Sequence, residues 1–437
     1  MCVAELAAPP VSDASIAFQE SFMDELLASG ESSPLANPSR ATREEAAKLA
    51  AQLIGAHGGD DEDSPTHGDG VGAHERFAGL RAKANALLAQ FVECAPDACR
   101  ESLERQPSDA RHLDGGNPGD PGVVDMDLDH AQDPVTTKGG SHGFTAPEGR
   151  GMHWLEGSFL TVIQLAKHGG VANVAGAVAK MLPFVLRVQE CPDREFALVA
   201  KRTLTYLKYL VFPRRHLARA VAGTLEGMRD SGQWHARAAG LKFCQAFSYR
   251  HSFTLDIPEM AALRDETFDR LCDAQIEVRS LARDTLVGFL KGVGTANAAA
   301  AGIRARCLAA AAEQPPRKRG RPKNPGGGSA GDRLDPSGGG RDTPDEDAKA
   351  ARHGCVLGLS ACVLSAPYDV PEWMPEVLEE LSRRANEPNP VKDTVRRTFS
   401  EFKKTHQDAW AETRAAFTSE QWETISMGME LAPSYIV

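Results

Sequence analysis

The 437-residue sequence has no pair of cysteines at CxxC spacing, and its nine cysteines are an odd number scattered along the chain. That usage argues against a disulfide framework or a zinc knuckle and fits small thiols kept reduced inside a cell. Aromatic residues are also scarce, at 6% against 42% hydrophobic residues overall. Such a balance suits aliphatic and alanine-rich helix packing better than a β-sandwich. Long apolar runs are missing: the best, Val171 to Val188, is interrupted by Lys180 and Pro183 and is too short to span a bilayer. The opening "MCVAELAAPP" has no basic n-region and carries Glu5, so no secretory signal is expected, nor any association with membrane.

Catalytic patterns are equally sparse. "GGSAG" (Gly327 to Gly331) matches GxSxG literally but has neither the strand before it nor the helix after it that a nucleophile elbow needs. His353 with Cys355 and Cys362 lacks a fourth ligand, and the two cysteines lie one heptad apart in an apolar helix, which is core spacing. With no phosphate loop, carboxylate dyad or nucleophile–base set, the sequence reads as that of a non-enzyme without a cofactor or metal.

What the sequence does have is a strong charge asymmetry. Residues 1–150 hold 26 Asp/Glu against 11 Lys/Arg, and the remainder 34 against 38, so the net −11 belongs to the first third. That third is rich in Gly, Pro, Asp and Ala and is expected to be mostly disordered, because stretches such as "GGDDEDSPTHGDGVG" bury little apolar surface. Two helical stripes interrupt it: Phe18, Phe22, Leu26 and Leu27, then Phe77, Leu80, Leu87, Leu88 and Phe91. Each reads either as a packing helix or as an acidic docking helix for a partner.

From Trp154 to Leu290 the helical signal is nearly continuous, and it recurs. Shifts of 42–43 residues align Arg194 with Arg237 and Arg279, Leu198 with Leu241, and Leu204 with Phe247 and Phe289. Paired helices with an early arginine in the second helix and a period near forty are the pattern of HEAT and armadillo repeats. Neither helix of a pair buries its stripe alone, so the units are expected to stack into an all-α solenoid. A Gly/Pro-rich insertion over 315–347 separates helical repeats at 151–314 from further repeats at 348–432, and residues 433–437 form a tail released by Pro433. In the last unit Val391, Val395, Phe399 and Phe402 share a face, and Thr418 with Gln421 has capping-box spacing.

Within the insertion, "PRKRGRPK" places Arg317, Lys318, Arg319, Arg321 and Lys323 in and around a Gly-Arg-Pro core. The segment admits three readings: a nuclear-import signal read by an import receptor, an AT-hook whose Arg319 and Arg321 enter a narrow minor groove of DNA, or a solvated linker. An AT-hook would make the chain a nuclear DNA-associated HEAT scaffold.

The segments "LSAPYDVPEWMP" and "VRRTFSEFKKTHQDAW" resemble the C-terminal region of the proteasome activator complex subunit 4 family, the Blm-type HEAT-repeat caps of the 20S proteasome. The resemblance is strong over residues 352–437 and collinear from about 154 to 290. It implies that the chain corresponds to a C-terminal portion of a much longer solenoid that sits on the α-ring of the 20S proteasome in nucleus and cytoplasm. It further implies ubiquitin-independent degradation of peptides and acetylated histones, a role in DNA repair, and recognition of acetyl-lysine, for which Tyr249 and Phe247 are the aromatic candidates. The family's tail ends on a hydrophobic–tyrosine–any-residue motif whose carboxylate meets a lysine between α-subunits. Here the chain ends Tyr435-Ile436-Val437. Docking is expected to survive, while Ile436 stands where the family's gate-opening tyrosine would be.

Overall fold

A computed structural model of the chain describes residues 13–28, 33–57, 77–104, 150–168, 174–230, 232–293, 297–314 and 344–430. The described residues are helical, with no strand among them. In chain order the helices are α1 Asp13–Leu27, α2 Arg40–His57, α3 Ala78–Glu104, α4 Arg150–Lys167, α5 Ala175–Arg187, α6 Arg194–Lys208, α7 Arg214–Met228 and α8 Trp234–Arg250. They continue as α9 Ile257–Asp269, α10 Ile276–Val293, α11 Ala298–Glu313, α12 Pro344–Ser365, α13 Met374–Arg383, α14 Val391–His406, α15 Trp410–Ala415 and α16 Ser419–Glu430.

Two layers emerge from the packing. One runs α2, α4, α6, α8, α10, α12, α14, each helix against the next; the other includes α3, α5, α7 and α9, and later α11, α13 and α16. Consecutive members of opposite layers make the helix pairs of a solenoid, as the forty-residue period requires. A single continuous apolar core fills the space between the layers from Ile16 to Met429.

The helical part of residues 1–150 is larger than periodicity alone indicates. Both stripes pack inward within this chain, with Leu26, Leu87 and Phe91 buried, while Phe18 stays on the surface. Between them α2, which the sequence reading passed over, buries an alanine stripe (Ala46, Ala47, Ala50, Ala51) with Leu53 and Ile54 against α4. Small side chains let the backbones approach closely, as at Gly157, where an added Cβ would collide with the carbonyl oxygen of Leu35.

An arginine ladder sets the register between units. Arg43, Arg237 and Arg279 each occupy the fourth position of their helix. Each donates to carbonyls of the loop just before it: Arg43 to Asn37 O (2.6 Å), Arg237 to Asp230 O (2.8 Å) and Arg279 to Asp273 O (2.7 Å). Each then reaches the next unit, Arg43 to Glu156 (2.6 Å), Arg237 to Asp273 (2.7 and 2.9 Å) and Arg279 to His353 Nδ1 (3.1 Å). Arg194 departs from the expected alignment. Pro192 and the Asp193 N-cap, which accepts from Phe196 N at 2.9 Å, start α6 three residues later in the repeat, so Arg194 is the first helical residue and exposed. Leu198, aligned with buried Leu241, is likewise 60% exposed.

Candidate functional site

The described residues carry the C-terminal tail to its root. In α14 the predicted face is realised, with Val391, Val395, Phe399 and Phe402 all buried. The predicted capping box opens α16: Gln421 N donates to Thr418 Oγ1 (3.2 Å) and Thr418 N to Gln421 Oε1 (3.0 Å). Behind it Trp422 packs edge-on to Trp410 at 5.6 Å and tilted to Phe417, with the Arg414 guanidinium over its ring.

At the other end of α16 the last turn is pinned. Ile425 and Met429 are buried, and Gly428 lies so close to α14 that an added Cβ would meet Phe399 Cε2 at 2.8 Å. Lys403 Nζ donates to Met429 O at 2.6 Å, placing a cation on the carbonyl end of the helix, where the dipole favours it. Ser382 Oγ bonds Thr424 O from α13. The helix that precedes the tail is thus held from two sides. Tyr435, Ile436 and Val437 themselves lie outside the described residues. Seven residues follow Glu430, and such a segment reaches at most about 25 Å when extended.

The basic residues Arg317, Lys318, Arg319, Arg321 and Lys323 also lie outside the described residues. Their flanks do not. Helices α11 and α12 pack side by side, and the end of α11 is tied down by Arg384, which is fully buried. Arg384 donates to Ala311 O (2.6 Å) and Gln314 O (2.8 Å) and pairs with Glu380 (2.8 Å) and Glu387 (3.2 Å). Arg352 joins the same network through Glu387 at 3.3 Å. Gln314, the last described residue before the insertion, is therefore held in place. Sequence reasoning missed this network; its only trace was the doublet Arg383-Arg384 on a strongly amphipathic helix.

His353, Cys355 and Cys362 belong to the core. His353 accepts from Arg279 and its Nε2 lies 2.9 Å from Thr394 Oγ1. Burial, then the charges of Arg279 and Arg283, push its pKa down to about 4, so it sits neutral with Nε2 as donor. Burial pushes the Cys355 thiol up to about 11 and Cys362 up to about 12, which makes both poor nucleophiles. Among the described residues no group of three or more His, Cys, Asp and Glu is placed to hold a metal ion, and no helix is long and apolar enough to cross a membrane.

Of the two aromatic candidates, Phe247 is 2% exposed and packs on Phe212, Phe243 and His251. Tyr249, in contrast, is 86% exposed and stands at the mouth of a 610 Å³ cavity.

Comparison with known proteins places the C-terminal unit. A family described as "Proteasome activator complex subunit 4-like, C-terminal" matches residues 349–437. "Proteasome activator subunit 4" of Arabidopsis thaliana is 33% identical over 273 residues, 62% of this chain and 14% of that protein. The Homo sapiens "Proteasome activator complex subunit 4" is 36% identical over 214 residues, 48% of this chain and 11% of that protein. "Proteasome activator BLM10" of Saccharomyces cerevisiae is 39% identical over 75 residues, 17% of this chain and 4% of that protein. The chain thus spans about one-seventh of the first of these relatives and less of the others. The resemblance read from its sequence holds: this is a helical-repeat chain similar to the C-terminal portion of the proteasome activator subunit 4 and Blm10 proteins, with residues 349–437 matching that family's C-terminal domain.

Proposed function

We propose that the chain is a regulatory module that binds the 20S proteasome α-ring by inserting its tail, Tyr435-Ile436-Val437, between α-subunits. The observation that carries this reading is the match of residues 349–437 to the activator C-terminal domain, whose last helix is anchored by Lys403, Ser382 and Gly428. A rigid root lowers the entropy lost when a short tail docks. The terminal carboxylate supplies a charge-assisted contact to a lysine, and the Tyr435 and Val437 side chains an apolar plug. Ile436 lacks the hydroxyl and ring of tyrosine, so docking and gate opening are separable in this protein, and its product would be regulated turnover of peptides and acetylated histones only where opening occurs by other contacts.

The test is recovery of 20S particles on the immobilised chain with and without residues 435–437, followed by a peptidase assay on the complex. Loss of recovery on truncation supports docking; equal recovery refutes it. An Ile436→Tyr variant is expected to raise peptidase stimulation without a large change in recovery.

We further propose that the basic segment 317–323 acts in the nucleus, where proteins of a DNA-repair role would be needed. What supports this is the composition of the segment, Arg317, Lys318, Arg319, Arg321 and Lys323 around Gly320 and Pro322. Replacing Arg319 and Arg321 with alanine separates the readings: loss of nuclear accumulation alone identifies an import signal, and loss of binding to AT-rich duplex identifies a DNA contact, whose affinity should also fall steeply with salt.

A further inference from the structure

The cavity at Tyr249 lies between the C-terminal halves of α8 and α10, with α9 and the end of α6 as its other walls. Met260, Phe289 and the Tyr249 ring supply its apolar lining. Two lysines, Lys208 and Lys242, also line it, and no carboxylate does. Neither lysine has an ion-pair partner among the described residues. Burial, then to a smaller extent the nearby Lys242 ammonium, push the Lys208 pKa down. At 610 Å³ the space falls within the range of ligand pockets.

Two helical glycines border the same space. Gly288 and Gly292 stand on the α10 face that lines it, and an added Cβ at either would meet nothing within 4 Å. Elsewhere glycines at helix contacts are sterically required: an added Cβ at Gly240 would lie 2.8 Å from Met228, and at Gly354 2.7 Å from Leu271 O. Glycine within a helix is destabilising relative to other residues, and here no packing contact compensates.

We propose that this cavity is a binding site for an acidic peptide segment of a partner protein, whose carboxylates pair with Lys208 and Lys242 while an apolar side chain enters beside Met260 and Phe289. The unpaired lysines set the sign of the ligand's charge. The lining sets its apolar part, which excludes a bare phosphate or polyphosphate as the best fit. An unmodified lysine-rich tail is disfavoured by the same two ammonium groups.

The test uses the full chain and a fluorescein-labelled octapeptide of alternating Asp and Leu, followed by anisotropy at low salt. Saturable binding is expected, weakened at least tenfold in a Lys208→Glu/Lys242→Glu variant and at least tenfold in Gly288→Leu, whose side chain starts from a position where an added Cβ meets nothing within 4 Å. Both sets of substituted positions face solvent or the cavity, and circular dichroism melts establish that each variant is folded. No saturable binding, or binding undiminished in both folded variants, overturns the proposal. So does tighter binding of an acetyl-lysine peptide of equal length, or displacement of the acidic peptide by a single-stranded oligonucleotide.

Discussion

Two rungs of the arginine ladder, one unit apart, hold equivalent positions with different chemistry. Arg237 meets Asp273 in a bidentate ion pair whose two side chains are 10% and 2% exposed. Arg279, forty-two residues on, meets the neutral imidazole of His353. Both arginines also cap the loop that precedes their helix. What is common to the rungs is therefore the arginine and its own loop carbonyl, which fix where each second helix begins. The partner across the junction is interchangeable, and it decides how the junction responds to charge and pH.

The largest effect is expected where a buried charge loses its main partner. Arg237→Ala leaves the buried Asp273 carboxylate only the Arg270 guanidinium at 3.5 Å and the Gln275 N–H at 2.9 Å, and should cost about 3–5 kcal/mol of stability, measured by denaturant titration. Arg279→Ala strands carbonyls and a neutral ring, with an expected cost of about 1–3 kcal/mol. Equal costs would mean that the partner does not distinguish the rungs.

The pH response comes next. Folding lowers the affinity of His353 for a proton, so its contribution is complete above about pH 6.5 and is lost as pH falls toward 4. From a shift of that size the loss is on the order of 3 kcal/mol at most. Melting temperature followed from pH 7 to 4 should fall more steeply in the native chain than in a His353→Asn variant, in which the titrating group is gone. Parallel curves would place the pH dependence elsewhere. The smallest effect is expected at Gly288: leucine there should raise stability by up to about 1 kcal/mol through helix propensity, where the same change at Gly428, against Phe399, should lower it.

Much of this architecture was legible in the sequence because repeats print the same physics several times. The forty-residue period located Arg237, Arg279, Leu204, Phe247 and Phe289, all of them buried or nearly so. Helix α2 was not legible, because its stripe is alanine in a neighbourhood of glycine, proline and aspartate, so composition over a wide window hid a well-packed element. Arg194 aligned in sequence yet fell off the ladder, since Pro192 and Asp193 move the helix start and periodicity carries no information about caps. The Arg384 network and the cavity were hidden for a different reason. Each depends on which side chains of three or four separate helices converge, a three-dimensional fact that no single stripe encodes. The tail and the basic segment, read from sequence motifs alone, lie outside the described residues.

The central claim is that the tail mediates attachment to the proteasome. Its most direct measurement is the dissociation constant for purified 20S particles of the intact chain and of a chain lacking Tyr435 to Val437. Weakening of at least tenfold on truncation is predicted, about 1.4 kcal/mol or more. An unchanged constant would contradict the account.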